Sequence, residues 1–161
     1  MGIVMPTVRH TGSLFMVNLL RPYTRVSIKG SADEHDRPLI FDHVYDSHMK
    51  RFHEWIKRYP TVVIPLRDPT DCAHGWAKRG EDFDRFFNMW ENLLEFDQYG
   101  PFYVPIDHPE RDDFLGDLSK HINMELKTDW RPHNTSNQPS RDIPDVSFLY
   151  NQPVIRDFYA Y

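Results

Sequence analysis

Short apolar runs alternate along the chain with segments whose apolar residues return every third or fourth position. The run Gly2 to Val8 predicts a buried strand, which stops at polar Arg9-His10-Thr11-Gly12-Ser13 before Leu14 to Leu20 reads as helix. Arg21-Pro22 ends that helix, Arg25 to Lys29 predicts a short strand, and Leu39-Ile40-Phe41 a buried one leading into Asp42-His43. Asp46 or Ser47 caps a helix running to about Tyr59, with Met49, Phe52 and Ile56 on one face and Pro60 as its stop. Thr61 to Leu66 is the next buried strand, and it runs into Arg67-Asp68-Pro69-Thr70-Asp71, where another helix begins. Phe83, Phe86, Phe87, Trp90, Leu93 and Leu94 keep the i, i+3, i+4, i+7 rhythm of an amphipathic helix from about Glu81 to Asp97. Pro101 to Ile106 then predicts a strand, and Phe114, Leu115, Leu118 and Ile122 a helix opened by Pro109.

Strand and helix thus alternate through four rounds, the pattern of an α/β protein. The expected architecture is a three-layer αβα fold with a central, mostly parallel sheet whose ligands bind at the carboxyl ends of the strands. Residues 1–127 form this core. From Thr128 to Asp145 the chain turns to Pro, Asn, Ser and Asp, the composition of an extended loop, and from Val146 it becomes aromatic and aliphatic again. Residues 128–161 are therefore expected to form a Pro-rich loop and a terminal segment that packs back on the core.

Composition narrows the classes. Eleven Phe, eight Tyr and four Trp among 161 residues exclude a disordered chain, and seven Gly exclude a collagen-like one. A single cysteine, Cys72, excludes an internal disulfide and a Cys-rich zinc site. No apolar run nears the roughly 20 residues that cross a bilayer, and the N-terminus lacks a signal-peptide pattern, so no membrane partner and a cytoplasmic location are expected. The net charge of −5 is unevenly spread: residues 1–67 hold ten Lys and Arg against six Asp and Glu. Arg outnumbers Lys 13 to 6, and guanidinium pairs well with phosphate or sulfate oxygens, which directs attention to an anionic ligand.

Arg9-His10-Thr11-Gly12-Ser13 lies between the first strand and the first helix, where backbone N–H groups and hydroxyls can meet an anion. Gly12 allows close approach of the backbone, and Arg9 or His10 supplies charge. The nucleotide-triphosphatase pattern GxxxxGK followed by Ser or Thr is absent. An ordinary strand-to-helix turn with a hydroxyl cap has the same appearance.

The second polar corner is Arg67-Asp68-Pro69-Thr70-Asp71, followed by a helix bearing Gly75. Together the two corners resemble the cofactor loops of the sulfotransferase family, which are similar to Pro-Lys/Arg-Ser-Gly-Thr-Thr and Arg-Asn/Asp-Pro-x-Asp. The resemblance implies a P-loop NTPase-like fold. It also implies that Thr11, Gly12, Ser13 and Leu14 hold the 5′-phosphosulfate of 3′-phosphoadenosine 5′-phosphosulfate and Arg67 its 3′-phosphate. His10, with Arg9 beside it, stands at the family's basic position two before the glycine, and Gly75 stands where the family's second-loop serine is expected. The likeness covers roughly residues 1–80, and the family's C-terminal glycine-rich loop is not visible.

His43, at the end of the strand before the helix 46–59, resembles the family's general base, with Asp42 or Asp46 to orient it. The chemistry stands by itself: a hydroxyl is a poor nucleophile near neutral pH, and an imidazole can take its proton. The leading expectation is a transferase that moves a sulfuryl group from the nucleotide donor to an acceptor hydroxyl. An alternative is a kinase using ATP with Mg²⁺ on a hydroxyl of a nucleotide or modified DNA base, with Ser13 on the metal and Asp42 as base. A second alternative is a non-catalytic nucleotide-binding module. His43, His48 and His53 recur every five residues, a spacing that would turn about 140° per step on a helix, and no metal site is expected from them.

Overall fold

The computed structural model describes residues 2–32, 36–126 and 142–159. Among these residues five strands and six α-helices follow one another: β1 (Ile3–Thr7), α1 (Ser13–Leu19), β2 (Thr24–Ser27), β3 (Pro38–His43), α2 (Asp46–Arg58), β4 (Val63–Leu66), α3 (Pro69–Lys78), α4 (Phe83–Leu94), β5 (Phe102–Pro105), α5 (Arg111–Ile122) and α6 (Pro153–Phe158). Through α5 the expected alternation holds except where β2 runs on to β3 and α3 to α4 without the other element between. All strand pairs are parallel. β3 lies between β1 and β2, with Ile3 opposite Leu39 and Val26 opposite Ile40, while β4 pairs with β5 from Val63–Phe102 to Leu66–Pro105. The two sheets meet at one bridge, Val4 to Val62, where the Val4 N–H donates to the Thr61 carbonyl at 3.0 Å. The strands therefore follow one another in the order β2, β3, β1, β4, β5.

Every residue of β1 is buried, because its side chains go alternately into two cores. Val4, Ile40, Val26 and Ile64 join Phe52, Trp76, Phe86, Trp90 and Ile155 from α2, α3, α4 and α6. Ile3, Met5, Leu39, Phe41 and Val104 join Phe15 of α1 and Leu115 and Leu118 of α5. Apolar residues on both sides explain why these strands read as continuous hydrophobic runs rather than alternating ones.

Local chemistry sets the helix ends. Asp68 caps α3 by accepting the Thr70 N–H at 3.0 Å, with Pro69 in the first helical position, and Asp82 caps α4 by accepting the Asp84 N–H at 2.9 Å. The helix expected over 81–97 is thus shorter: α4 gives way to a 3-10 turn, Glu95–Tyr99, which Gly100 closes at φ 61°. β2 ends at Ser27 because the Gly30 N–H turns back to the Ser27 carbonyl, at 2.9 Å. α5 starts after Pro109, at Arg111, since the His108 ring takes the Glu110 N–H at 3.0 Å.

The loop expected over 128–145 lies largely outside the described residues, but the segment after it does return to the body. A 3-10 turn (Ser147–Asn151) and α6 bury Leu149 and Ile155. The Tyr150 hydroxyl donates to the Asp68 carboxylate and meets the Thr70 hydroxyl at 2.7 Å, while the Tyr159 hydroxyl donates to Asp107 at 2.5 Å. These bonds fasten the segment at the carboxyl ends of β4 and β5. No helix among the described residues is long and apolar enough to cross a membrane.

Candidate functional site

Parallel pairing brings the ends of β1 and β3 together, since Thr7 stands opposite His43 in register. The corner after β1 is held from beneath by α3, through main-chain oxygens. Trp76 Nε1 donates to the Arg9 carbonyl at 3.1 Å, and Cys72 Sγ lies 3.5 Å from the same oxygen. Arg67 Nη1 donates to the His10 carbonyl at 3.3 Å. The two polar corners, 57 residues apart in sequence, are therefore in direct contact.

His10 adopts φ 68°, a left-handed conformation uncommon outside glycine, and Gly12 follows at φ 89°. Gly12 is required twice over: a Cβ there would sit 2.3 Å from Ile106 Cδ1, just beyond β5. Thr11 points inward, fully buried, with its hydroxyl donating to the Val8 carbonyl at 2.7 Å. Its side chain stabilises the turn, and Ser13 and the main chain are what remain to face a ligand. Ser13 opens α1 without a side-chain cap, and Leu14 beside it is 67% exposed.

The charged groups converge on Glu81, which the sequence reading did not single out. Arg9 Nη2 lies 3.3 Å and His10 Nε2 3.2 Å from its carboxylate, and Arg9 Nη1 also reaches the Tyr45 hydroxyl at 3.4 Å. Burial lowers the pKa of His10, opposed by its bond to Glu81. Arg9, Tyr45, Trp76, Glu81, Asp82 and Arg85 line a cleft of about 260 Å³ beside this corner. Nothing in the sequence pattern marks Glu81: it follows Gly80 in a loop, and only the fold places it against residues 9 and 10.

His43 Nδ1 lies 2.8 Å from the Thr7 hydroxyl, which itself donates to the Asp42 carbonyl at 3.2 Å. When the threonine proton goes to that carbonyl, Nδ1 carries the imidazole hydrogen and Nε2 presents the lone pair; when it goes to Nδ1, the roles reverse. Burial, against the opposing charge of Asp42, lowers the His43 pKa to about 4, so the ring is neutral at neutral pH. Asp42 does not grip the ring: its Oδ1 accepts the His43 main-chain N–H at 2.7 Å and its Oδ2 lies 3.7 Å from His48 Nδ1.

Gly75 faces the same corner. A Cβ on it would lie 3.6 Å from His10 Cβ and 3.7 Å from Arg67 Nη1, so the position is open to a small side chain. His43, His48 and His53 separate: His43 ends β3, whereas His53 lies against Tyr99 at 2.5 Å. Among the described residues no group of three or more His, Cys, Asp or Glu could hold a metal ion. Cys72 is fully buried, and burial pushes its thiol up to about 12, the setting of a packed structural cysteine.

Compared with protein-family models and with curated proteins, the chain matches none.

Proposed function

We propose that this protein transfers a sulfuryl group from 3′-phosphoadenosine 5′-phosphosulfate to an acceptor hydroxyl, on a P-loop NTPase-like fold. The observation that carries the reading is the bond from Arg67 to the His10 carbonyl, which joins the two corners whose residues resemble sulfotransferase cofactor loops. The strand order, with the Gly12 turn at the carboxyl end of a central strand, supports the same reading. The residues present suit such a donor: Gly12 bends the main chain without a side chain, Gly75 leaves space, and Arg9 and Arg67 bring cations.

In this reading the donor supplies an activated sulfuryl group with a phosphate leaving group. His43 Nε2 takes the acceptor's hydroxyl proton as the new O–S bond forms and the bond from sulfur to the bridging phosphate oxygen breaks. His10 and Arg9, held by Glu81, face the charge that develops on the leaving oxygen, and Ser13 adds a hydroxyl donor. The half-buried setting of His43 limits water at that point.

Thermal shift tests this directly. 3′,5′-Adenosine bisphosphate, the donor's product, is expected to raise Tm, and His43→Ala to keep that shift while abolishing transfer. A shift with ATP and Mg²⁺ instead would move the assignment to the kinase, with Ser13 on the metal and Asp42 as base. Binding of either nucleotide with no transfer in the presence of acceptor hydroxyls would leave a binding module.

A further inference from the structure

Arg111 opens α5 and is one of the few buried charged residues described, with 8% of its surface exposed. A guanidinium carries five N–H donors, yet among the described residues this one makes two hydrogen bonds, both long: Nη1 to the Ile106 carbonyl and Nε to Asp112, each at 3.4 Å. Asp112 is itself 56% exposed, so the counter-charge is largely given over to water. The guanidinium lies over the Phe15 ring at 5.0 Å. With Nε and Nη1 engaged, Nη2 is the nitrogen left open to solvent, and so to an anion.

Its place in the fold indicates which anion. Phe15 is three residues beyond Gly12, and Ile106, whose carbonyl Arg111 holds, is the residue that packs against Gly12. Arg111 therefore stands on the α5 side of the sheet, bonded to the residue that packs on the Gly12 turn, whereas Arg67 approaches that turn from the end of β4. Arg67 already gives a donor to a main-chain carbonyl there. We infer that Arg111 is a further binding residue of this corner, donating to a tetrahedral oxyanion, phosphate or sulfate, held at the Gly12 turn. The inference rests on the anion site proposed above and adds to it a residue that no sequence resemblance indicated.

The probes are inorganic sulfate and inorganic phosphate, titrated against chloride at equal ionic strength, with Tm as the readout for the wild-type chain, Arg111→Gln and Arg111→Lys. A purely supporting role would lower the baseline Tm and leave the anion-induced shift intact. The inference expects a shift in the wild type, at least tenfold weaker apparent affinity in Arg111→Gln, and an intermediate value in Arg111→Lys, which keeps the charge but not the planar fork. Arg111→Lys carries the comparison by itself if Arg111→Gln fails to fold. An unchanged shift in the variants overturns the inference, as does a wild type that responds to 3′,5′-adenosine bisphosphate without loss on substitution; the transfer reading then stands. A sulfate shift that the variants lose, in a protein indifferent to either nucleotide, upholds Arg111 and overturns the transfer reading.

Discussion

Replacing Gly12 by alanine tests the corner on which the site is built. The new Cβ would meet Ile106 at 2.3 Å from Cδ1, 3.0 Å from Cγ1 and 3.1 Å from Cγ2, in a backbone held at φ 89°. The left-handed conformation costs alanine about 1–2 kcal/mol, and forcing a methyl into a packed site a further 1–3 kcal/mol or so. The narrower unfolded ensemble of alanine returns up to about 1 kcal/mol, leaving a loss of roughly 1–5 kcal/mol, centred near 3 kcal/mol. Ile106→Val removes the atom in the closest contact and by itself costs about 1 kcal/mol. If that contact sets the penalty, Gly12→Ala with Ile106→Val is more stable than the two single losses add up to, by about 1–2 kcal/mol. Equilibrium urea unfolding of the four proteins, followed by tryptophan fluorescence, measures the cycle. A Gly12→Ala loss below about 1 kcal/mol, or a double variant whose loss is the plain sum, refutes the argument.

Other outcomes follow from the same geometry. His43 stays neutral in the fold down to pH about 4 while its unfolded counterpart takes a proton near 6.5, so the unfolded chain binds more protons between those values. Stability is therefore level above pH 6.5 and falls as pH drops through that window, by on the order of 2 kcal/mol after allowing for water at the partly exposed ring; His10 acts in the same direction. His43→Gln is expected to flatten that part of a plot of unfolding free energy against pH, and an unaltered slope would show that other groups produce it. If the proposed sulfuryl transfer holds, Gly75→Ser, which adds a hydroxyl at ordinary contact distance from Arg67, is expected in calorimetry to tighten 3′,5′-adenosine bisphosphate binding about tenfold at unchanged stability. Tyr150→Phe removes the hydroxyl shared by Asp68 and Thr70 and is expected to lower stability by about 1–2 kcal/mol in denaturant titration, while a neutral result would mean that ring packing alone holds the segment.

The elements were legible because hydrophobic periodicity is local: the buried run through Ile64 and the aromatic stripe of α4 both name their own structure. Boundaries moved by a few residues where side chains intervened, as when Asp82 started α4 and His108 delayed α5. The site was legible only in part. Gly12, Arg67 and His43 sit at strand ends, a place that alternation indicates, but Thr11 turned inward to bond Val8, and a hydroxyl's direction is not written in its neighbours. Glu81, Thr7 and Arg111 were not singled out because each acquires its role from a partner far along the chain or across the fold, at residues 9 and 10, 43 and 15 respectively.

The first corner is anchored by its peptide oxygens: Trp76 and Cys72 meet the carbonyl of residue 9, Arg67 that of residue 10. Such moorings are indifferent to which side chains stand at those two positions. The left-handed backbone restricts position 10 to a short menu, chiefly Gly, Asn, Asp and His, whereas position 9 is unrestricted by it. Descendants of this chain could thus retool the chemistry of the corner, exchanging one head group for another, while its framework persisted unaltered.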